Sequence, residues 1–299
     1  MTGLDTLVTG LFDYAGLFPP AALPLQDALR EAAKAPRLRR PRMVGADFVV
    51  PLAQLDLVTR HELSFAGFGD TMCTLAVVGV DRKDLAAAVR RVKSFNRKAA
   101  PWAQVVSLEA HAAAFPPQAL ASLRAAQRAL APARLYLEPK WTPARWKTGQ
   151  AALLGLLQRL GAGSHGLPAV GMKVRCAGPT AVSRTTLQAL LPALAASAVP
   201  LKATQGLHHA LPTGREQGFL NLAMAFRLLQ VHGAGFPSQG LAELLRETDA
   251  KAFSFDDGAD WRGFGMHVDT LEGAMSRLPF TIGSCSLEEP DQELSRLFG

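Results

Sequence analysis

Three cationic side chains lie in two short, otherwise apolar segments of this sequence. Lys173 and Arg175 occur in the segment GMKVR, and Lys202 occurs in VPLKAT. Both segments are apolar enough to be strands of a buried parallel sheet. An unpaired charge in such a place costs several kcal/mol, so these cations are paired, neutralised by a pKa shift or kept for a ligand.

The first hypothesis for these residues is imine or enolate chemistry on a small anionic or carbonyl substrate. A lysine that is surrounded by other cations in a dry site has a lowered pKa and can be a neutral nucleophile near neutral pH. Lys202 fits that role, with Lys173 and Arg175 on the neighbouring strand tuning it and binding the anion. This reaction requires no cofactor.

The elements that must position these residues alternate along the chain. Strand-like segments are separated by helix-like segments, at residues 43–50, 73–80, 104–109, 134–138, 169–175, 199–204, 252–256 and 280–284. This pattern predicts right-handed parallel β-α-β units, and eight of them have the size of a single (β/α)8 TIM-like barrel. An open doubly wound sheet is the alternative, but no glycine-rich phosphate turn follows the first strand.

Alternation along each strand predicts which side chains point into the barrel, because the helix-facing side chains must be apolar. The polar side chains on the inner face collect where the strands end, which is where barrel enzymes have their active sites. Besides the three cations, this inner set contains Glu109, Glu138 and Asp256, with Asp47, Lys140, Thr204 and Cys285 as further members.

The carboxylates of this set support two kinds of chemistry. In the first hypothesis Lys202, Lys173, Glu138 and Asp256 form the catalytic group, with Glu138 and Asp256 as acid and base. In a second hypothesis Glu109, Glu138 and Asp256 hold one Mg²⁺ or Mn²⁺ for a lyase or isomerase reaction.

Several further residues are expected to bind the substrate at the mouth of the barrel. Loops after the last barrel strands commonly hold phosphate through backbone N–H groups, which suits the segment GSCS at residues 283–286. The expected substrate-binding residues are Arg175, Thr204, His208, His209, Ser284, Ser286 and Asn221. A third hypothesis is a barrel that binds an anion through such residues without catalysis.

Residues 1–40 are predicted to be an N-terminal extension of a barrel domain that spans residues 1–299. The segment DYAGLFPPAALP is too rich in Pro and Gly for a helix, and it is unusually apolar for a loop. We therefore expect this extension to pack over one end of the barrel or over a pocket.

The composition limits the classes of binding partner that we expect for this protein. The net charge of +7 is spread over many Lys and Arg residues without a nucleic-acid-binding motif, so we expect no nucleic-acid partner. Three distant cysteines and no apolar run of membrane-spanning length favour a cytoplasmic protein without a membrane partner. The expected partner is a small, anionic substrate, and the sequence leaves a homo-oligomer open.

Two resemblances add to this reasoning. KATQGL at residues 202–207 resembles the strand end of class I aldolases of the deoxyribose-phosphate type, and it implies a Schiff-base role for Lys202 with Lys173 as its perturbing partner. The motifs DYAGLFPPA, KATQGLHH, GFLN and GSCSLEEP together resemble a family of uncharacterised bacterial proteins, and this resemblance implies no activity.

Overall fold

The computed structural model describes residues 2–161, 166–214 and 216–299. The strands in these residues are β1 (Phe12–Tyr14), β2 (Val44–Pro51), β3 (Cys73–Asp81), β4 (Ala103–Ala112), β5 (Arg134–Pro139), β6 (Gly171–Arg175), β7 (Leu201–Thr204), β8 (Phe253–Ser254), β9 (Gly258–Trp261), β10 (Phe264–His267) and β11 (Phe280–Ser284). Eight of them close into a parallel barrel in the order β1, β11, β7, β6, β5, β4, β3 and β2. The predicted eight-stranded α/β barrel is confirmed.

Helices connect the strands and cover the outside of the barrel. They are α1 (Gly3–Val8), α2 (Leu25–Ala32), α3 (Arg60–Ala66), α4 (Leu85–Ala99), α5 (Leu120–Leu130), α6 (Pro143–Arg159), α7 (Arg184–Ala196), α8 (Phe219–His232), α9 (Ser238–Leu244), α10 (Val268–Arg277) and α11 (Glu288–Phe298). The starts of α6 and α7 follow local capping rules: Thr142 and Ser183 each accept a hydrogen bond from the first turn of the helix that follows.

The apolar faces of strands and helices meet in one large core between the barrel and its helices. Helix α8 is the most enclosed element, since every residue from Phe219 to Leu229 is buried. An apolar helix of this kind needs cover on all sides. It packs on the barrel through Phe219, whose ring meets the ring of Phe12 edge-on at 5.1 Å, and α7, α9 and α10 surround it.

The barrel is completed by β1, which the sequence pattern did not predict to be a strand. Phe12 pairs with Ile282 of β11 on one side and with Val44 of β2 on the other. The strand has only three residues, and the Pro- and Gly-rich segment begins directly after it. Residues 12–14 are therefore an integral part of the barrel, and the extension predicted for residues 1–40 is interrupted by a barrel strand.

The segment predicted as the seventh barrel strand, at residues 252–256, lies outside the barrel, so that prediction is wrong. Phe253 and Ser254 form β8, which pairs antiparallel with β9 in a three-stranded sheet with β10. The two phenylalanines of this segment pack on Phe298 of α11, with Phe255 at a centroid distance of 5.1 Å. Their contacts with the C-terminal helix replace the contacts that a barrel strand would make.

The remainder of the N-terminal segment is divided between two places. Helix α1 precedes β1 and packs against β9 and α10. The loop after β1 turns over the carboxyl end of the barrel, where Ala15, Phe18, Pro19 and Pro20 line a cavity. Within the described residues, no helix has the length and apolar character needed to cross a membrane.

Candidate functional site

A cavity of about 680 Å³ opens at the carboxyl end of the barrel. Its polar lining comes from strand ends and the loops that follow them: Glu109, His111, Glu138, Lys140, Lys173, Arg175, Lys202, Thr204, Gln205, His208, Ser284 and Cys285. The inward positions predicted by alternation on β4 to β7 are confirmed by this lining. The volume is within the range of ligand pockets, about 300–1,000 Å³.

Six charged side chains below and beside this cavity form one unbroken series of alternating sign, which we call the ion chain. In order of contact, its members are Asp13, Lys202, Glu109, Lys173, Glu138 and Arg175. They come from β1, β4, β5, β6 and β7, so the chain connects more than half of the barrel strands.

The deepest part of the ion chain surrounds Lys202, whose side chain is only 2% exposed. Its Nζ atom lies 2.7 Å from Asp13 Oδ2 and 2.7 Å from Glu109 Oε1. The contact with Glu109 has the distance of an ion pair but is poorly aligned for a hydrogen bond. Nζ also lies 5.9 Å from the centre of the Tyr136 ring, which can stabilise a cation. Lys202 is thus enclosed by groups that favour its charged form.

The pKa of Lys202 is accordingly shifted in the direction opposite to the one that the first hypothesis expects. Burial alone would lower this pKa, but the carboxylates of Asp13, Glu109 and Asp47 together raise it well above the ordinary value for lysine. The expectation of a lowered pKa at Lys202 is wrong, because that expectation counted the neighbouring cations and omitted the carboxylates. In this arrangement Lys202 is a fixed ammonium group.

Lys173 is the lysine that lies nearer the cavity. It pairs directly with Lys202 in the register of β6 and β7, which confirms that the two lysines are on adjacent strands. Its Nζ donates to Glu109 Oε2 at 2.5 Å and lies 3.1 Å from Glu138 Oε2. The Lys173 side chain is 10% exposed, against 2% for Lys202. Lys173 therefore lies between the buried part of the ion chain, around Lys202, and its partly exposed end at Arg175.

The two glutamates of the ion chain are held ionised by their cations. Burial opposes ionisation of Glu109, but Lys173 and Lys202 lower its pKa to about 2. Burial likewise opposes ionisation of Glu138, while Lys173 and Arg175 lower its pKa. Each carboxylate thus bridges two cations, an arrangement that fixes the positions of both lysines.

Arg175 marks the point where the ion chain reaches the open cavity. Its Nε donates to Glu138 Oε1 at 2.5 Å, and its side chain is 31% exposed. Its two Nη atoms make no hydrogen bond with a described residue and are available to a ligand. A guanidinium edge that faces a cavity suits a carboxylate or phosphate.

Two basic groups that the sequence analysis had not assigned to binding stand beside Arg175. Lys140 is exposed at the rim, where it has no ion-pair partner among the described residues. His111 lines the same side, and its pKa is lowered by burial and by the charge of Lys140. Together with His208, these side chains line the cavity, and Lys140 adds a positive charge to that of Arg175.

Only some residues of the loop at residues 283–286 line the cavity as expected. Ser284 and Cys285 line the cavity, as does Thr204. The Ser284 hydroxyl, however, donates to the carbonyl of Ser286 at 2.5 Å, and Ser286 faces a second, smaller cavity. Ser286 Oγ accepts the backbone N–H of Glu289 at 3.2 Å at the start of α11. Ser286 is therefore placed to organise the helix start.

Besides Ser286, three predicted site residues lie away from the cavity. Asp256 follows β8 in the small sheet, and it is separated from the carboxyl end because that sheet lies outside the barrel. His209 turns toward α11, with Nδ1 at 3.3 Å from Glu293 Oε1. The Asn221 side chain is buried in α8 and donates to the backbone carbonyls of Leu244 and Glu247. The structure gives Asn221 and His209 contacts that join helices and loops.

The arrangement does not bring together the ligands of the expected Mg²⁺ or Mn²⁺ site. Glu109 and Glu138 lie on adjacent strands, but their oxygens face lysine and arginine nitrogens. Asp256 is outside the barrel. Over residues 2–161, 166–214 and 216–299, no group of three or more His, Cys, Asp or Glu side chains has an arrangement that could hold a metal ion. The proposed set therefore does not fit a single metal.

Asp13 is the principal site residue that the sequence analysis missed. It is buried on β1 between Phe12 and Tyr14, and burial raises its pKa while its ion pair with Lys202 opposes that rise. A signal was present, because FDY has the apolar–acid–apolar alternation of a short strand. The Pro- and Gly-rich residues that follow concealed this signal.

Two comparisons with known proteins find no match for this chain. No protein-family model matches the sequence, and a search of curated proteins finds no significant match.

Proposed function

We propose that this chain is an enzyme of the lyase class that acts on a small carbonyl compound with an anionic group, and that Lys173 is the residue that meets the carbonyl carbon. The observation that carries the proposal is the position of Lys173, between the fixed charges around Lys202 and the ligand-accessible fork of Arg175. Barrel enzymes react at this end of the strands.

Arg175 and Lys140 would receive the anionic group of the substrate. Arg175 lines the cavity with two Nη atoms that make no hydrogen bond to a described residue, and Lys140 adds a second positive charge at the rim. Binding there would bring the carbonyl group toward Lys173, because Lys173 lines the same cavity as Arg175 and Lys140. Positioning of this kind converts a bimolecular reaction into an effectively unimolecular one.

Substrate binding would also change the proton affinity of Glu138. In the free protein both Lys173 and Arg175 lower the pKa of this carboxyl group. An anion on Arg175 would compete with Glu138 for the positive charge, so Glu138 would become a better proton acceptor. Glu138 could then take a proton from Lys173 at the moment when the substrate is in place.

The reaction that follows is conventional imine chemistry. Lys173 Nζ attacks the carbonyl carbon, and the carbonyl oxygen takes up protons and leaves as water to give an iminium. The bond between the α and β carbons then breaks: its electron pair moves to the iminium and forms an enamine, while the hydroxyl on the β carbon gives up its proton and becomes the carbonyl of the first product. Protonation and hydrolysis of the enamine release the second product and regenerate Lys173. The buried positive charge of Lys202 would keep Glu109 ionised, as it does in the free protein. Lys202 is thus given a positioning role, in place of the nucleophilic role expected from the sequence.

Borohydride trapping tests this proposal directly. The protein is incubated with small aldehydes, ketones and 2-oxo acids, reduced with borohydride and analysed by intact mass and peptide mapping. We expect a reduced adduct on Lys173 in the native protein. The variant Lys173→Arg keeps the charge but cannot form a reducible adduct, and it should show none.

Lys202→Arg is the matched control, because it preserves the other cation of the ion chain. Adduct formation should persist in this variant, provided that circular dichroism shows a folded protein. An adduct that maps to Lys202, or that persists in Lys173→Arg, would show that the assignment is incorrect. Binding of anions without an adduct from any compound would favour a non-catalytic anion-binding barrel.

A further inference from the structure

The cavity has a second wall that the proposed reaction does not use. Val49, Ala76 and Val78 form an apolar cluster inside the barrel, separate from the main core, and Ala15 and Phe18 pack against it. These side chains are on the inner face of β2 and β3 and on the loop after β1. Apolar residues that line a cavity, and that are not joined to the main core, are available to a ligand.

This apolar wall lies opposite Lys173, Arg175 and Lys202 of the ion chain. In the closed order of the barrel, β2 and β3 are each four strands away from β6 and β7, respectively. β2, β3 and the loop after β1 carry the apolar lining residues Ala15, Phe18, Pro19, Pro20, Val49 and Val78. β6 and β7 carry Lys173, Arg175 and Lys202, and β5 beside β6 carries Glu138. A ligand in the cavity therefore contacts a charged wall on one side and an apolar wall on the other.

We propose that the substrate is amphipathic, a 2-oxo acid or related carbonyl anion with a hydrocarbon or aromatic group that packs on the apolar wall. Phe18 is the specificity-determining residue. This inference rests on the proposed function for the position of the carbonyl, and it adds the class of substrate.

The hydroxyl groups of a ligand would find no hydrogen-bond partner among the side chains of this wall. Its side chains contain no hydrogen-bond donor or acceptor, and Pro19 and Pro20 have no backbone N–H. A buried hydroxyl without a partner loses the hydrogen bonds that it makes with water, and this loss weakens binding. A sugar or sugar phosphate would therefore lose affinity where a hydrocarbon group gains it.

Equilibrium affinities for a series of straight-chain 2-oxo acids, from pyruvate to 2-oxooctanoate, test the inference. Calorimetry on the full chain without borohydride should show affinity that rises about two- to fourfold for each added methylene, where fourfold corresponds to the ~0.8 kcal/mol of a buried CH₂. An affinity that does not change with chain length would overturn the inference, as would tighter binding of polyhydroxylated carbonyl acids of equal length.

Two phenylalanine variants locate the effect. Phe18→Ala should reduce the gain per methylene and weaken binding of 2-oxooctanoate at least threefold, while the affinity for pyruvate changes little. Phe65→Ala is the matched control, because Phe65 is 64% exposed on α3 and does not line the cavity. An equal loss in both variants, or an unchanged slope in Phe18→Ala, would contradict the role of Phe18.

Simple carboxylates separate this inference from the proposed function. Hexanoate and octanoate have no carbonyl carbon that Lys173 could attack, so any gain with their chain length reports the apolar wall alone. If that gain is present but 2-oxo acids give no reduced adduct, the proposed reaction fails and the amphipathic ligand class stands. If adducts form but chain length has no effect in either series, the reaction stands and this inference fails.

Discussion

The floor and the rim of the cavity differ in how their charges are neutralised. At the floor, Asp13, Lys202 and Glu109 are almost completely buried, and each is in an ion pair. At the rim, Arg175 is partly exposed and uses only one nitrogen for Glu138, while Lys140 is exposed. The floor is therefore a permanently neutralised layer, whereas the rim has charge available for a ligand.

This difference explains why Lys173 and not Lys202 is the better candidate for chemistry. A buried ion pair is held rigidly, because removing either partner leaves an uncompensated charge in a low-dielectric interior. A partly exposed pair can exchange its protein partner for a ligand at little cost. Lys173 has one carboxylate from each layer, Glu109 from the floor and Glu138 toward the rim. The contact of Lys173 with Glu109 is therefore fixed, whereas its contact with Glu138 can change when a ligand binds.

The largest effect is expected from breaking the floor. Glu109→Gln would leave Lys173 and Lys202 without their shared counter-charge, and we expect a loss of about 3–5 kcal/mol in the free energy of unfolding at neutral pH. Denaturant unfolding measures this loss. Glu272→Gln on the exposed face of α10 is the control and should change stability by less than about 0.5 kcal/mol.

The pH dependence of the same variant gives an independent check. The pKa of Glu109 is lowered to about 2 from an ordinary value of 4.5, so its stabilising contribution is complete above pH 4.5 and is lost as the pH falls through 2. The difference between the native protein and Glu109→Gln should shrink over this window. A difference that stays constant down to pH 2 would show that the charge of Glu109 is not what stabilises the floor.

A smaller effect of opposite sign is expected at Asp47, which lies beside the floor on β2. Burial and the charge of Asp13 raise the pKa of Asp47 to about 7, although Lys202 opposes the rise. Between 3.8 and about 7 the native state binds more protons here than the unfolded state, so this group lowers stability as the pH rises.

Asp47→Asn should therefore be stabilising. The amide cannot ionise, and it can still accept the hydrogen bond that Thr74 Oγ1 donates to Asp47 Oδ1 at 3.0 Å. We expect a gain of roughly 2–4 kcal/mol at pH 8 and almost none at pH 4. Thermal unfolding across this range measures it, and a gain at pH 4 as large as that at pH 8 would refute the electrostatic explanation.

Much of the rim and part of the floor could be predicted from the sequence, because period-two alternation fixes the facing of β4 to β7. That rule placed Glu109, Lys173 and Lys202 correctly on inner faces, and chain order placed the two lysines on adjacent strands. A separate prediction, from the apolar, Pro- and Gly-rich composition of residues 13–24, was that this segment packs over an end of the barrel or a pocket, and Ala15, Phe18, Pro19 and Pro20 do line the cavity.

Two of the errors, the barrel position given to residues 252–256 and the omission of Asp13, have one physical source, because each concerns which short apolar segment occupies a place in the barrel. Residues 252–256 alternate more convincingly than residues 12–14, but strand pairing depends on partners that a local pattern does not contain. Asp13 on β1 is one of the three carboxylates, with Glu109 and Asp47, that raise the pKa of Lys202. The error in strand assignment concealed Asp13, and the pKa expectation left out the other two carboxylates although both had been placed on inner faces.

The smallest effect is expected at the rim, where Arg175→Lys tests whether the guanidinium fork is used. Lysine preserves the positive charge but presents a single nitrogen, so it cannot hold Glu138 and bidentate contacts to a ligand at once. We expect the affinity for a 2-oxo acid to fall about tenfold, which equals about 1.4 kcal/mol. The free energy of unfolding should change by less than about 1 kcal/mol, because the Arg175 side chain is partly exposed.

If Arg175→Lys instead destabilised the protein as strongly as Glu109→Gln while ligand affinity was unchanged, the rim would be a continuation of the floor. The distinction between the two layers, and with it the choice of Lys173, would then lose its basis.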